Sequence, residues 1–139
     1  MSFKGEWLDL SSQALRDVIG WEGEVTVRIE EGAVRKFAEA VGIPFGKRVP
    51  PTFLGALMQG GAEGLEAFQD GTVHGEQSIT YHRPVEIGDC ITCTRKVSDV
   101  YERTGKLGKM TLVVVDTKGL SADGKVVFES SSTVIHSAR

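Results

Sequence analysis

The chain has 139 residues, 40% of them apolar and 25% charged, with a formal net charge of −3. That length and balance suit a single soluble domain over residues 1–139, able to bury a core without disulfide or metal staples. A net negative charge with scattered basic residues, densest at Lys47-Arg48 and Arg95-Lys96, speaks against nucleic acid, whose phosphates need a concentrated basic surface.

No window has the apolar length of a membrane span, and the stretch Met1-Ser2-Phe3-Lys4-Gly5-Glu6 lacks the apolar core of a signal peptide. The expected location is the cytoplasm, where both cysteines stay reduced. Cys90 and Cys93 have redox-motif spacing. On a strand, however, residues three apart point to opposite faces, and no second Cys/His pair completes a zinc site. They read as two unconnected structural cysteines.

Taken in chain order, Ser12 to Ile19 reads as a short helix or turn. Val25, Val27 and Ile29 alternate with Thr26, Arg28 and Glu30, the period of a strand. Val34, Phe37, Ala38 and Val41 then fall at helical spacing, predicting a helix from about Ala33 to Val41 that ends at Gly42. Gly42 to Pro51 is a loop. Thr52 is a candidate N-cap for a second helix carrying Phe53, Leu54, Leu57, Met58, Leu65 and Phe68. Gly55, Gly60, Gly61 and Gly64 crowd that helix at roughly 1 kcal/mol each against alanine. Either a sheet approaches its backbone closely, or it breaks at Gly60-Gly61, the reading preferred.

From Gln77 onward nearly everything is strand: Ile79 and Tyr81 on one, Ile91, Cys93 and Val97 on a face of a second that ends near Tyr101, Leu107 to Thr117 on a third, and Val126 to His136 on a fourth. Arg103-Thr104-Gly105-Lys106 reads as a turn, and Ser121-Ala122-Asp123-Gly124 carries an Asp-Gly hairpin signal. Strand, helix, helix and four strands predict an α+β domain in which a curled antiparallel sheet of about five strands wraps one central helix, since a sheet's apolar face needs a covering layer.

Four elements stand in a telling order: Val49-Pro50-Pro51-Thr52-Phe53-Leu54, His74-Gly75-Glu76-Gln77, Tyr81-His82-Arg83-Pro84-Val85 and Gly88-Asp89. In these the chain, from about Val25 to Ile135, resembles the MaoC-like dehydratases of the hot-dog superfamily, and most of all their N-terminal, fatty-acid-synthase-type dehydratase half. The resemblance implies a hot-dog fold, usually paired into a continuous double sheet, and an acyl thioester of coenzyme A or acyl carrier protein as ligand, with neither metal nor organic cofactor. Members of the family add water to a 2-enoyl thioester or remove it. An Asp and a His activate the water, and backbone N–H groups at a helix start polarise the carbonyl.

The catalytic Asp of such hydratases follows a Gly at the end of the first helix, and the His comes five residues later. Aligned on Gly42, those positions hold Ile43 and Arg48, and no Asp or His lies between Gly42 and Phe68. The nearest titratable side chains, Glu39 and Lys47, are out of register. The resemblance therefore implies a subunit without its catalytic pair: the pocket-forming half of a heteromeric hydratase, whose partner is a catalytic MaoC chain. Two other readings stay open, a homodimeric hydratase using His74 and Glu76, and a non-enzymatic acyl-CoA-binding or scaffold protein.

The candidate substrate-binding residues are Pro51, Thr52, His74, Tyr81 and Arg83. His74 and Glu76 share a face if the segment is extended and could act as base and orienter, although hydrogen bonds that fix the entry to a strand are the simpler account. Arg83 is a candidate for a CoA or carrier-protein phosphate, or equally for pairing with Glu86 or Asp89. His82 reads as a solvent-facing strand residue and His136 as peripheral. Asp89 is expected to bond backbone N–H groups in a turn, and Tyr81 to place its ring in the core or at a dimer seam.

Overall fold

The computed structural model describes residues 19–20, 22–57, 72–106 and 108–137. Five strands and two helices follow one another: β1 (Glu22–Arg28), α1 (Glu31–Val41), α2 (Phe53–Leu57), β2 (Thr72–Tyr81), β3 (Cys90–Gly105), β4 (Gly108–Leu120) and β5 (Val126–Ser137). All neighbouring strands run antiparallel in one sheet of order β1-β3-β4-β5-β2. The helix or turn expected from Ser12, apart from its last residue Ile19, lies outside the described residues, as does the second helix beyond Leu57.

Alternation decides which face is buried. On β3, Ile91, Cys93 and Val97 are almost wholly buried. On β4 so are Thr111, Val113, Val115 and Thr117. Ile91 and Cys93 meet Phe128 on β5, Val34 on α1 and Phe53 and Leu54 on α2 in one apolar cluster. Both helices therefore cover the same face of the sheet, and the ring of Phe53 meets Phe37 edge-on at 5.6 Å between centroids.

Helix α1 is held by its buried face, Val34 and Ala38, one turn apart. It starts at Glu31, two residues before the predicted Ala33, because extended Glu30 serves as the cap position and Glu31 places a carboxylate on the positive end of the helix. It stops at Gly42, whose φ of 76° is the left-handed conformation that only glycine adopts without strain. There the Gly42 and Ile43 N–H groups cap the last carbonyls, with Ile43 N–H donating to Ala38 O at 3.0 Å.

Four sequence expectations need correction. β2 begins at Thr72, five residues before Gln77, because Thr72, Val73 and His74 pair with His136, Ile135 and Val134 of β5, and Gly75 is taken up as a bulge. β3 runs past Tyr101 to Gly105: Arg103, Thr104 and Gly105 pair with Met110, Lys109 and Gly108, so of the predicted turn these three are strand and Lys106 alone is turn. β4, described from Gly108, is carried by its partner strands through to Leu120, beyond Thr117. Arg83 pairs with neither Glu86 nor Asp89 but approaches Asp123 at 3.7 Å, a residue of the β4–β5 hairpin.

Other readings stand as made. Asp89 Oδ2 accepts the Glu86 N–H at 2.9 Å, closing the turn before β3. Ser121 and Lys125 close the Asp-Gly hairpin, where Gly124 donates to Ser121 O at 2.9 Å.

Candidate functional site

The loop from Gly42 to Pro51 is pinned where it faces the β2–β3 connection. Arg48 bridges Glu86, buried Val49 donates its N–H to Val85 O, and Pro50 O accepts the Phe53 N–H at 2.9 Å, which starts α2. Thr52 follows, and Gly55 N–H bonds its carbonyl at 3.0 Å. A side chain at Gly55 would press on the Gln77 amide, with Cβ 3.3 Å from Nε2. The close approach of sheet to helix that the glycine content suggested is present at this position.

That contact closes one side of a cavity of about 480 Å³. Phe37 and Val41 of α1, Thr52 and Gly55 at α2, and the inward residues His74, Gln77, Arg95, Val115, Thr117, Ser130, Ser132 and Val134 of the sheet line it. Of the candidate residues, the structure brings Thr52 and His74 together there. Pro51 sits in the turn just before Thr52. Tyr81 lies seven residues along β2, opposite Phe128 and 44% exposed, and Arg83 is engaged by Asp123; neither lines the cavity. Ser121 and Lys125 donate to the Asp123 carboxylate and, with Arg83 nearby, hold it below the usual carboxylate range.

His74 and Glu76 do not share a face. His74 stands opposite Val134 and Glu76 opposite Thr133, adjacent residues on β5, because the bulge at Gly75 takes up one position of alternation. The His74 ring bonds instead through Nε2 to the backbone carbonyl of Glu76, at 3.1 Å. The ring is thus tied to its own strand, and the Glu76 carboxylate is directed to the other face. His82 meets Glu129 Oε2 at 2.9 Å, and His136 is half-buried on β5 beside Thr111 and Thr72.

Ile43 is 42% exposed at the helix end. Arg48 pairs with Glu86 in an isolated antiparallel backbone bridge. Among the described residues no group of three His, Cys, Asp or Glu side chains could hold a metal ion.

Strand parity also separates the cysteines: both are free, Cys90 exposed and Cys93 buried. Burial pushes the Cys93 thiol up to about 11, an effect that the nearby Arg95 charge only partly offsets. Since the thiolate is the reactive form, iodoacetamide at neutral pH is expected to modify Cys90 alone, and Cys93 only after unfolding. Peptide mass spectrometry reads both sites, and equal labelling of the folded chain would contradict the assignment.

Arg95 is the residue that sequence reading passed over. It shares the inward face of β3 with Ile91, Cys93 and Val97, opposite buried Thr117. Its parity was legible, and only its charge suggested an outward side chain.

A five-stranded antiparallel sheet in this order, its concave face covered by helices and opening on a cavity at the start of the second, defines a hot-dog protein. The family model described as the FAS1-like dehydratase domain region matches residues 46–130, more than half of the chain. The chain belongs to that family.

Solved structures agree on the fold. The C-terminally truncated HadBC (3R-hydroxyacyl-ACP dehydratase) complex of Mycobacterium tuberculosis is similar at 24% identity, over 86% of this chain and 97% of that one, with a TM-score of 0.71. The ChsH1-ChsH2 complex of the same organism is similar at 15% identity, over 89% and 87%, with a TM-score of 0.65. The R-hydratase PhaJ1 of Pseudomonas aeruginosa is similar at 18%, over 87% and 83%, with a TM-score of 0.64. No curated protein matches the chain. Among the described residues no helix is long and apolar enough to cross a membrane.

Proposed function

We propose that this chain is the pocket-shaping, non-catalytic subunit of a heteromeric 2-enoyl-thioester hydratase or 3-hydroxyacyl dehydratase, working in the cytoplasm on CoA or carrier-protein thioesters. The observation that carries this reading is the contrast between a kept cavity and a missing pair. The cavity at Thr52, Gly55 and His74 is present, while the loop after Gly42 offers Ile43 and Arg48 where an Asp and a His are needed. Neither an alkyl group nor a guanidinium can take a proton from water near neutral pH.

His74 lacks the carboxylate orienter that a His–Glu pair would need, since its Nε2 bonds the Glu76 carbonyl and the Glu76 carboxylate faces away, which supports a base supplied from outside this chain. The partner, a second hot-dog chain with the Asp and His, supplies water activation; this chain shapes the acyl pocket and completes the interface. Two of the similar structures are complexes, HadBC and ChsH1-ChsH2, which supports a partner for this chain.

The test is hydration of crotonyl-CoA, followed by loss of enoyl-thioester absorbance. The purified chain is assayed alone, and then with the chain encoded by the adjacent reading frame. Turnover is expected in the mixture only. Robust turnover by this chain alone would overturn the proposal, and loss of that turnover in a folded His74→Ala chain would place catalysis at His74.

A further inference from the structure

Strand faces turned toward a covering helix are normally apolar, and a cation among them has to be compensated. Arg95 breaks that pattern in the middle of β3. Beside it, Thr117 stands opposite both Arg95 and Ser130; one rung along, Ser132 stands opposite both Val115 and Gln77. All of them line the same cavity as Arg95. A band of hydroxyls and an amide thus crosses three strands and ends at a guanidinium.

The Arg95 Nε is buried and has no hydrogen-bond partner among the described residues. The ion pairs of the described residues join Arg35 to Glu31, His82 and Lys118 to Glu129, Arg83 to Asp123 and Lys109 to Glu102, and none includes Arg95. Burial lowers its basicity, and its electrostatic neighbour is the Cys93 thiol. A guanidinium still carries its charge near neutral pH, so the cavity holds a half-buried positive fork with no carboxylate partner among the described residues.

We propose that the cavity selects acyl thioesters whose acyl chain ends in a carboxylate, with the Arg95 fork binding that carboxylate and polar groups of the band, Ser132 among them, donating to the lone pairs the fork leaves free. This rests on the reading that the cavity receives the acyl chain. A carboxylate is planar and accepts only, which matches the fork of a guanidinium. Phe37, Val41, Val115 and Val134 offer apolar wall to the methylenes that precede it. A plain alkyl chain would cover the charge without compensating it, so the same residue that favours one class of substrate disfavours the other.

The test is calorimetric binding to the full chain, comparing succinyl-CoA with butyryl-CoA and adipyl-CoA with hexanoyl-CoA, pairs matched in length. In at least one pair the carboxylate-bearing thioester is expected to bind about tenfold tighter or better, the scale of a hydrogen bond to a charged group. Arg95→Met is expected to abolish the preference and Arg95→Lys to keep part of it. Ser132→Ala, which leaves the charge in place, is expected to weaken only the carboxylate-bearing member.

Equal binding within both pairs overturns the selectivity and leaves the acyl-thioester reading standing. A preference that survives Arg95→Met in a chain with an intact circular dichroism spectrum also overturns it. Failure of all four thioesters to bind overturns both readings together.

Discussion

A Gly119→Ala chain is expected to lose about 1–3 kcal/mol of stability, toward the upper end of what one extra buried methyl costs. An alanine Cβ at this position would sit 2.5 Å from Cδ1 of Phe128 and closer still to Cε1, distances that carbon atoms do not tolerate. The ring has no room to yield. Phe128 is 1% exposed and packed in the cluster with Ile29, Val34, Phe53, Leu54 and Ile91, and it faces Gly119 directly across the β4–β5 ladder.

Phe128→Leu in the same chain is expected to recover part of the loss, because a smaller, branched side chain leaves space for the methyl. Urea unfolding of the four chains of this double-mutant cycle, at one protein concentration, should show a favourable coupling of about 0.5–3 kcal/mol. Strict additivity would mean that the ring is not what excludes the side chain. The consequence reaches the cavity, since Phe128, Phe53 and Leu54 belong to one cluster. A displaced ring shifts the start of α2 and with it Thr52 and Gly55.

The parts of the fold that follow from local periodicity were legible. Val25 and Val27 alternate on β1, Val34 and Ala38 repeat along α1, and Gly42 ends it. Cys90 and Cys93 fall on opposite faces by parity alone. What was not legible depends on partners far along the chain. Gly75 carries no signal that it is an extra residue in the ladder. Its role exists only against Val134 and Thr133, and it moves Glu76 off the face that extended geometry predicts. Arg103-Thr104-Gly105 has the composition of a turn, and pairing with β4 keeps it extended.

Arg83 finds Asp123, forty positions away, rather than Glu86 or Asp89 close by in the chain. The candidate site was half visible. The motifs led to Thr52 and His74, while the band from Arg95 to Gln77 runs across strands β3, β4, β5 and β2, whose order in the sheet is not their order in the chain.

Replacing Arg95 with methionine is expected to stabilise the chain, an unusual sign for a substitution inside a folded domain. The guanidinium has lost part of its hydration, and among the described residues its Nε has no hydrogen-bond partner and no carboxylate pairs with it. An apolar side chain of similar length keeps the packing of the stem and removes that desolvation cost. Replacing poorly compensated buried charges by well-packed apolar groups is neutral to favourable by about 1–4 kcal/mol. Arg95 is only half-buried, so solvent screening puts the expectation at about 1 kcal/mol, a rise of a few degrees in the melting temperature for a domain of this size.

A structural role for Arg95 predicts the opposite sign, since removing it would then break contacts that hold the sheet. The two cases separate further when ligand is added. Succinyl-CoA or adipyl-CoA should raise the melting temperature of the wild-type chain by binding the native state and leave the Arg95→Met chain almost unmoved. A gain in stability together with loss of that ligand response is the pattern of a residue retained for what it binds, at the expense of the fold that holds it.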